Sequence, residues 1–297
     1  MIPGFQNRFR LCELFGIPLY LDISLAILLV LFATGGNGFL AGLLGAVLLL
    51  FSITAHELGH ALTARAFGYG THDITLSLLG GCASLIALPR KASQEFLTAV
   101  AGPAVSFALA AAAIAGMGAL AEEGSAALAF LHAFTGGLSY GLAGPHVIYF
   151  HDGEGVLAIA RGSFAAFDLL FDFACMNLML GAFNLLPGFP LDGGRIFRSA
   201  MRAFMSRARA TYIAMVVGRG VAVLLALVGL RRLFNGGSWG FVTLLIAWMI
   251  WKEGYREYRQ ALEEGVWDGR WDFSARVSPP PYGGRSDEAE IRRGSSR

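Results

Sequence analysis

Charge is scarce in this sequence: 15% of its 297 residues are Asp, Glu, Lys or Arg, against about 25% in soluble domains. So thin a supply cannot cover a water-facing surface, which excludes a soluble enzyme of one or two ordinary domains. Length alone allows either. An excess of one sign is also missing, and a formal net charge of +2 offers no basic field for nucleic acid. Cysteine is limited to Cys12, Cys82 and Cys175, an odd and widely spaced set that argues against a disulfide framework. No internal repeat is visible, which counts against an inverted-repeat transporter. What abounds is apolar: 55% hydrophobic residues and a mean hydropathy of +0.57 predict an integral membrane protein with little soluble mass.

A transmembrane helix takes roughly 20 mostly apolar residues. Six such runs are expected, at about Ile17 to Ala33, Phe39 to Phe67, Phe96 to Leu120, Phe164 to Leu186, Ala210 to Leu230 and Trp239 to Trp251. The third is broken near its start by Gly102-Pro103. The sixth is short: it spans if Leu233 and Phe234 also lie in the bilayer, and is re-entrant otherwise. Arg8 and Arg10 before the first run also fit a signal peptide, but Ala33-Thr34-Gly35 is a poor cleavage site. With a cytoplasmic N-terminus, the inner segments hold all of the 23 Lys and Arg except Arg161, Arg219, Arg231 and Arg232. Basic residues mark the cytoplasmic side, so both termini are predicted there, in a multi-pass protein of the cell membrane.

Ile74 to Leu88 is apolar but interrupted by Gly80-Gly81, which predicts a short membrane-associated β-hairpin between spans two and three. The segment from Ala121 to Gly162 is too short for a typical extra domain and lacks clear periodicity. The fold class expected is therefore all-α and polytopic, with that one hairpin. Residues 1–251 form the six-span core. Residues 252–297 form a cytoplasmic helix and a disordered tail rich in Pro and charge.

The second span ends in His56-Glu57-Leu58-Gly59-His60. On a helix, residues four apart share a face, so His56 and His60 can present two imidazole nitrogens to one metal ion. Glu57 sits one position round, where it can take a proton from a water activated there. Such patterns also arise by chance, as two helix histidines beside a surface glutamate. Ionisable groups at the end of an apolar span cost several kcal/mol unless paired or metal-bound, which favours function. A catalytic zinc site takes a third protein ligand. The candidate is Asp192, in Asn184-Leu185-Leu186-Pro187-Gly188-Phe189-Pro190-Leu191-Asp192-Gly193-Gly194. Two prolines end the helix there, and the irregular backbone can turn Asp192 back toward the histidines. Alternatively the segment is a polar turn and Asp192 is solvated.

Taken together, these two segments closely resemble the signature pair of the site-2 protease family of intramembrane zinc metalloproteases. The resemblance extends to Gly80-Gly81 and to Ala101-Gly102-Pro103, and covers about Ile17 to Arg195 in order and spacing. It implies one Zn²⁺ per chain, held by His56, His60 and Asp192, with Glu57 as the catalytic glutamate. Asn184 matches an asparagine that helps hold the substrate or its oxyanion, and Gly80 and Gly81 match the substrate-binding hairpin. Where many members carry Asn in a GPxxN pattern, this chain has Ser106. No segment suits a PDZ or CBS domain, so the compact prokaryotic members are the nearest comparison.

The implied activity is endoproteolysis of a peptide bond within or near the transmembrane segment of a membrane-anchored regulatory protein. The partners are then a single-span membrane protein and the lipid bilayer, with no nucleic acid. One rival is a membrane di-iron hydroxylase, which needs several histidine boxes; six histidines with a single HxxxH do not supply them. Another is a catalytically inactive member that retains membrane partners, against which an intact Glu57 argues. Asp168 and Asp172 share a helical face four residues apart. They lie on the order of 20 Å along the span from Asn184, near its outer end, where an outer-interface location or a pair with Arg219 is favoured over a second metal site.

Overall fold

The computed structural model describes residues 8–34, 39–77, 80–85, 91–124, 139–144, 147–151, 156–161, 164–235 and 239–267. The expected disordered tail lies outside the described residues.

The chain begins with strands. β1 (Arg8–Leu14) and β2 (Ile17–Asp22) form an antiparallel hairpin with Leu14 opposite Ile17. Its two turn residues, Phe15 and Gly16, both have positive φ, at 54° and 78°. That is the backbone a two-residue hairpin turn needs to match the twist of its strands. Asp22 then accepts the Ser24 backbone N–H at 2.8 Å and caps α1 (Ile23–Thr34). The first expected span is therefore corrected. Its first 6 residues are strand β2, and the helix that follows has only 12 residues.

After α1 the chain enters α2 (Phe39–Ala66) and returns as β3 (Thr71–Ser77), which pairs parallel with β2. β4 (Gly80–Leu85) pairs antiparallel with β3, giving a four-stranded sheet in the order β1-β2-β3-β4. The expected hairpin exists, but Gly80 and Gly81 are paired strand residues rather than its turn. The two glycines lie inside β4, opposite Ser77 and Leu76. One sheet face packs Ile17, Leu19, Ile74 and Leu76 against Leu25, Ile53 and Ala61, so the sheet rests on α1 and α2.

α3 (Ala92–Leu120) runs unbroken through Pro103, contrary to the expected break. Proline removes one hydrogen bond and the helix continues on either side, as membrane helices tolerate. The segment after α3 is also corrected. β5 (Ala121–Gly124), β6 (Ser139–Gly144), β7 (Val147–His151) and β8 (Val156–Arg161) make a second antiparallel sheet, ordered β5-β8-β7-β6. The all-α expectation thus holds for the helices and fails for the strands. Four- to six-residue strands among glycines leave too little alternation to read.

Four helices complete the chain: α4 (Phe164–Asn184), α5 (Asp192–Met201), α6 (Arg207–Phe234) and α7 (Trp239–Trp267). The expected sixth span and the polar helix after it are one continuous helix, α7. It crosses α6 where a Cβ on Gly240 would meet the Gly229 carbonyl oxygen at 2.6 Å. Gly42–Ala66, Ala92–Ala119 and Arg207–Phe234 are long and apolar enough to cross a membrane, and Leu169–Asn184 is a shorter apolar helix. Val216, Val223, Leu224 and Leu227 of α6 point outward, as lipid-facing side chains do. Several polar groups within these helices bond to their own helix or to a neighbouring one. Ser52 and Thr54 donate to the Leu48 and Leu50 carbonyls, and buried Asn177 of α4 donates to Ser52 Oγ at 2.9 Å. The Arg219 guanidinium stacks over Trp251, 4.8 Å from the ring centre.

Candidate metal centre

His56, Glu57 and His60 lie within about one helical turn of one another in the C-terminal half of α2, where α3 lies against it. The two helices approach closely because side chains are missing at the contact. A Cβ on Gly59 would stand 2.8 Å from the Ala101 carbonyl oxygen. A Cβ on Gly102 would stand 2.7 Å from His56 Nε2 and closer still to His60 Nε2. Gly102 therefore leaves a small open space in front of both imidazole nitrogens. One ligand atom from each of His56, Glu57 and His60 lies within 4.8 Å of the others. The rings stand 4.9 Å apart between centres at 75°.

The segment after α4 carries Asp192 back to that space. Helix geometry ends as Leu186 donates to Phe183, and Gly188 and Leu191 make tight backbone bonds to Leu186 and Gly188. The Phe189-Pro190 peptide is cis. Gly193 packs under the Leu185 and Leu186 carbonyls, where a Cβ would collide. The result sets Asp192 at the start of α5, 7% exposed, with Oδ2 3.1 Å from His56 Nε2 and 3.0 Å from His60 Nε2. Of the two sequence readings, the solvated turn is not what forms. Burial by itself would raise the Asp192 carboxyl, but the His60 and His56 rings beside it hold it well below the usual carboxylate range.

Hydrogen bonding on the far side of each ring decides what faces Asp192. His60 Nδ1 lies 2.7 Å from the Thr98 carbonyl oxygen. A carbonyl only accepts, so Nδ1 carries the hydrogen and a neutral ring presents a lone pair at Nε2. That lone pair faces a carboxylate oxygen, a contact favourable only with a cation between: a proton on the ring or a shared metal ion. His56 Nδ1 has its own partner in Ser106 Oγ at 2.9 Å. Ser106, fully buried, thus fills a polar role in the position where the pattern carries Asn.

The residues fit a zinc ion. Zn–N and Zn–O bonds of about 2.0–2.2 Å in a tetrahedral site put ligand atoms about 3.3 Å apart, near the separations Asp192 keeps from the two rings. The space that a methyl on Gly102 would fill is the space such an ion needs. Second-side partners on both rings are what metal-ligating histidines have.

The other expected site residues stand further off. Asn184 ends α4, part-buried, its amide donating to the Leu180 carbonyl at 3.0 Å. Gly80 and Gly81 begin β4, the outermost strand of its sheet, beside α2. Thr98 and the packing role of Gly102 were not legible as site features, and Ser106 was visible only as the residue in the Asn position of the GPxxN pattern.

Comparison with known proteins agrees with the motifs. A model of peptidase family M50 matches residues 44–227, more than half of the chain and both motif segments. The chain is 31% identical over 273 residues to sll0528 of Synechocystis sp., a protein assigned as a zinc metalloprotease, across 86% of this chain and 61% of that protein. Rip3 of Mycobacterium tuberculosis, assigned likewise, is 35% identical over 243 residues, 81% of this chain and 52% of that protein. This chain therefore spans less than two thirds of the length of these relatives. The solved site-2 protease from Methanocaldococcus jannaschii shares the fold, with a TM-score of 0.51 at 24% identity over 84% of this chain and 95% of that one. By motif, by sequence and by fold alike, the chain belongs to peptidase family M50.

Proposed function

We propose that this chain is an intramembrane zinc endopeptidase that hydrolyses a peptide bond in or near the transmembrane segment of a membrane-anchored regulatory protein. One observation carries the reading. Two imidazole nitrogens and one carboxylate oxygen converge, buried, on a space kept open by Gly102, with Glu57 beside them. In this reading His56, His60 and Asp192 hold one zinc ion per chain. The chemistry that zinc supplies when bound is Lewis acidity, which polarises a carbonyl and lowers the pKa of water to about 7.

The remaining work falls to the chain's own groups. Glu57 takes the proton of the attacking water and passes it to the leaving amine. Its carboxylate is 6% exposed, so little bulk water competes for that proton. Asn184 donates to the developing oxyanion, after exchanging its bond to the Leu180 carbonyl for one to substrate. A peptide bond in a transmembrane helix is already hydrogen-bonded, so the substrate unwinds and its freed backbone needs partners. β4 provides them by strand addition at its outer edge, where Gly80 and Gly81 let another backbone approach. The proposed topology has six spans and both termini in the cytoplasm, with residues 1–251 as the core and 252–297 as a cytoplasmic helix and tail.

The test is cleavage of a purified single-span substrate in detergent with Zn²⁺, comparing wild type with Glu57→Gln. Glu57→Gln is expected to keep its zinc and lose at least about 10²-fold in rate. Equal rates would refute the mechanism, and full activity after zinc removal would refute the metal assignment.

A further inference from the structure

Asp192 opens a helix of only ten residues, α5, that has no side-chain N-cap. Something else must hold that helix in place. Arg198 lies two turns along α5, 2% exposed. Its Nε donates to Glu95 Oε1 at 2.8 Å, with Nη2 2.6 Å from the same oxygen, and its Nη1 donates to Glu257 Oε2 at 2.7 Å. The guanidinium also lies over the Phe189 ring, 4.9 Å from its centre. Arg202 binds the second oxygen of Glu95.

Each partner belongs to a different part of the candidate site. Glu95 is one turn before Thr98 on α3, whose carbonyl orients His60. Phe189 sits in the bend that leads to Asp192. Glu257 lies on α7, beyond the stretch proposed as the sixth span. A buried arginine costs several kcal/mol in desolvation unless fully paired, and an apolar side chain would fill the space more cheaply. What arginine adds is geometry: a planar fork can bridge two carboxylates and stack on a ring at once, and lysine cannot.

We propose that Arg198 is a positioning residue of this metal centre, tying the Asp192 helix to the Thr98 turn of α3, which orients His60, and to the cytoplasmic extension of α7. This rests on the reading of His56, His60 and Asp192 as the zinc ligands. It gives the α7 extension a function, since a pull on Glu257 reaches Asp192 through one side chain.

The experiment uses the full chain in detergent and measures zinc affinity by competition with a chromogenic chelator. Thermal melting of the zinc-free form and kcat and KM at saturating zinc complete the readout. Variants are Arg198→Lys, Glu257→Gln and Asp192→Asn. Arg198→Lys is expected to weaken zinc binding about 10–100-fold and to lower kcat with KM unchanged, and Glu257→Gln to do the same more weakly. If both bind zinc as wild type does and only melting shifts, while Asp192→Asn loses affinity, the positioning role is overturned and the ligand reading stands. If Asp192→Asn also binds zinc normally, the ligand reading falls and the proposal with it. Should Arg198→Lys fail to fold, Glu257→Gln decides, because its side chain is 34% exposed and tolerates the change.

Discussion

Gly102→Ala tests the candidate centre with a single methyl group. The added Cβ would stand 2.7 Å from His56 Nε2 and nearer to His60 Nε2. Ordinary contact between such atoms begins at about 3.5 Å, so the rings must retreat by roughly 1 Å or the helices must part. Parting is resisted on the neighbouring turn, where Gly59 already lies against the Ala101 carbonyl. Overpacking of this size costs about 1–3 kcal/mol. Displacement of ligands by 1 Å costs on the order of 10²-fold in function. At zinc concentrations of 100 times the wild-type Kd, binding stabilises the folded chain by about 2.7 kcal/mol; with a 100-fold weaker site the same zinc gives about 0.4 kcal/mol. The assay is the zinc-dependent shift in melting temperature, with metal content measured alongside. Wild type is expected to show the shift and to lose it to a chelator, while Gly102→Ala shows almost none in a chain with unchanged helix content. A Gly102→Ala protein with the full zinc-dependent shift would refute the argument that this glycine keeps a metal position open.

Three further outcomes are expected. Ser106→Ala removes the partner of His56 Nδ1 and should weaken zinc binding about 10–100-fold by chelator competition, while Ser106→Asn, the residue of the GPxxN pattern, retains more of it. Proline substituted within β4 should impair cleavage and leave zinc content unchanged, because it blocks strand addition without touching the metal residues; normal cleavage would count against the β4 edge as the substrate's partner. Ser52→Ala leaves one of the two buried Asn177 amide N–H groups without its acceptor, the other staying on the Phe173 carbonyl, and should destabilise the chain by about 1–3 kcal/mol in denaturant melts, with zinc affinity unaffected.

The helices were largely legible because lipid imposes one simple rule, a long apolar run for each crossing. α2, α3 and α6 follow it and fall where the hydropathy places them. The strands were not. β2 reads as the start of an apolar span because Ile17, Leu19 and Leu21 continue into Ile23 and Leu25 without a break. Only the positive-φ turn at Phe15-Gly16 and the pairing with β3, more than fifty residues on, make it a strand. Likewise Gly102-Pro103 looks like a helix stop in isolation. In the structure α3 continues through Pro103, with Gly102 against the imidazoles of α2.

By itself the sequence determined the chemistry on offer. Two histidines a helical turn apart and a glutamate between them are local facts, set by 3.6 residues per turn. So is the unusual Pro- and Gly-rich stretch that carries Asp192. Only the tertiary structure decided that Asp192 meets those histidines across 132 to 136 residues of chain, that the Ser106 hydroxyl and the Thr98 carbonyl hold the far nitrogens of their rings, and that Arg198 joins three elements around them. The division has a physical cause. Helical periodicity is written into neighbouring residues, whereas the position of a side chain from a distant helix depends on how whole surfaces pack.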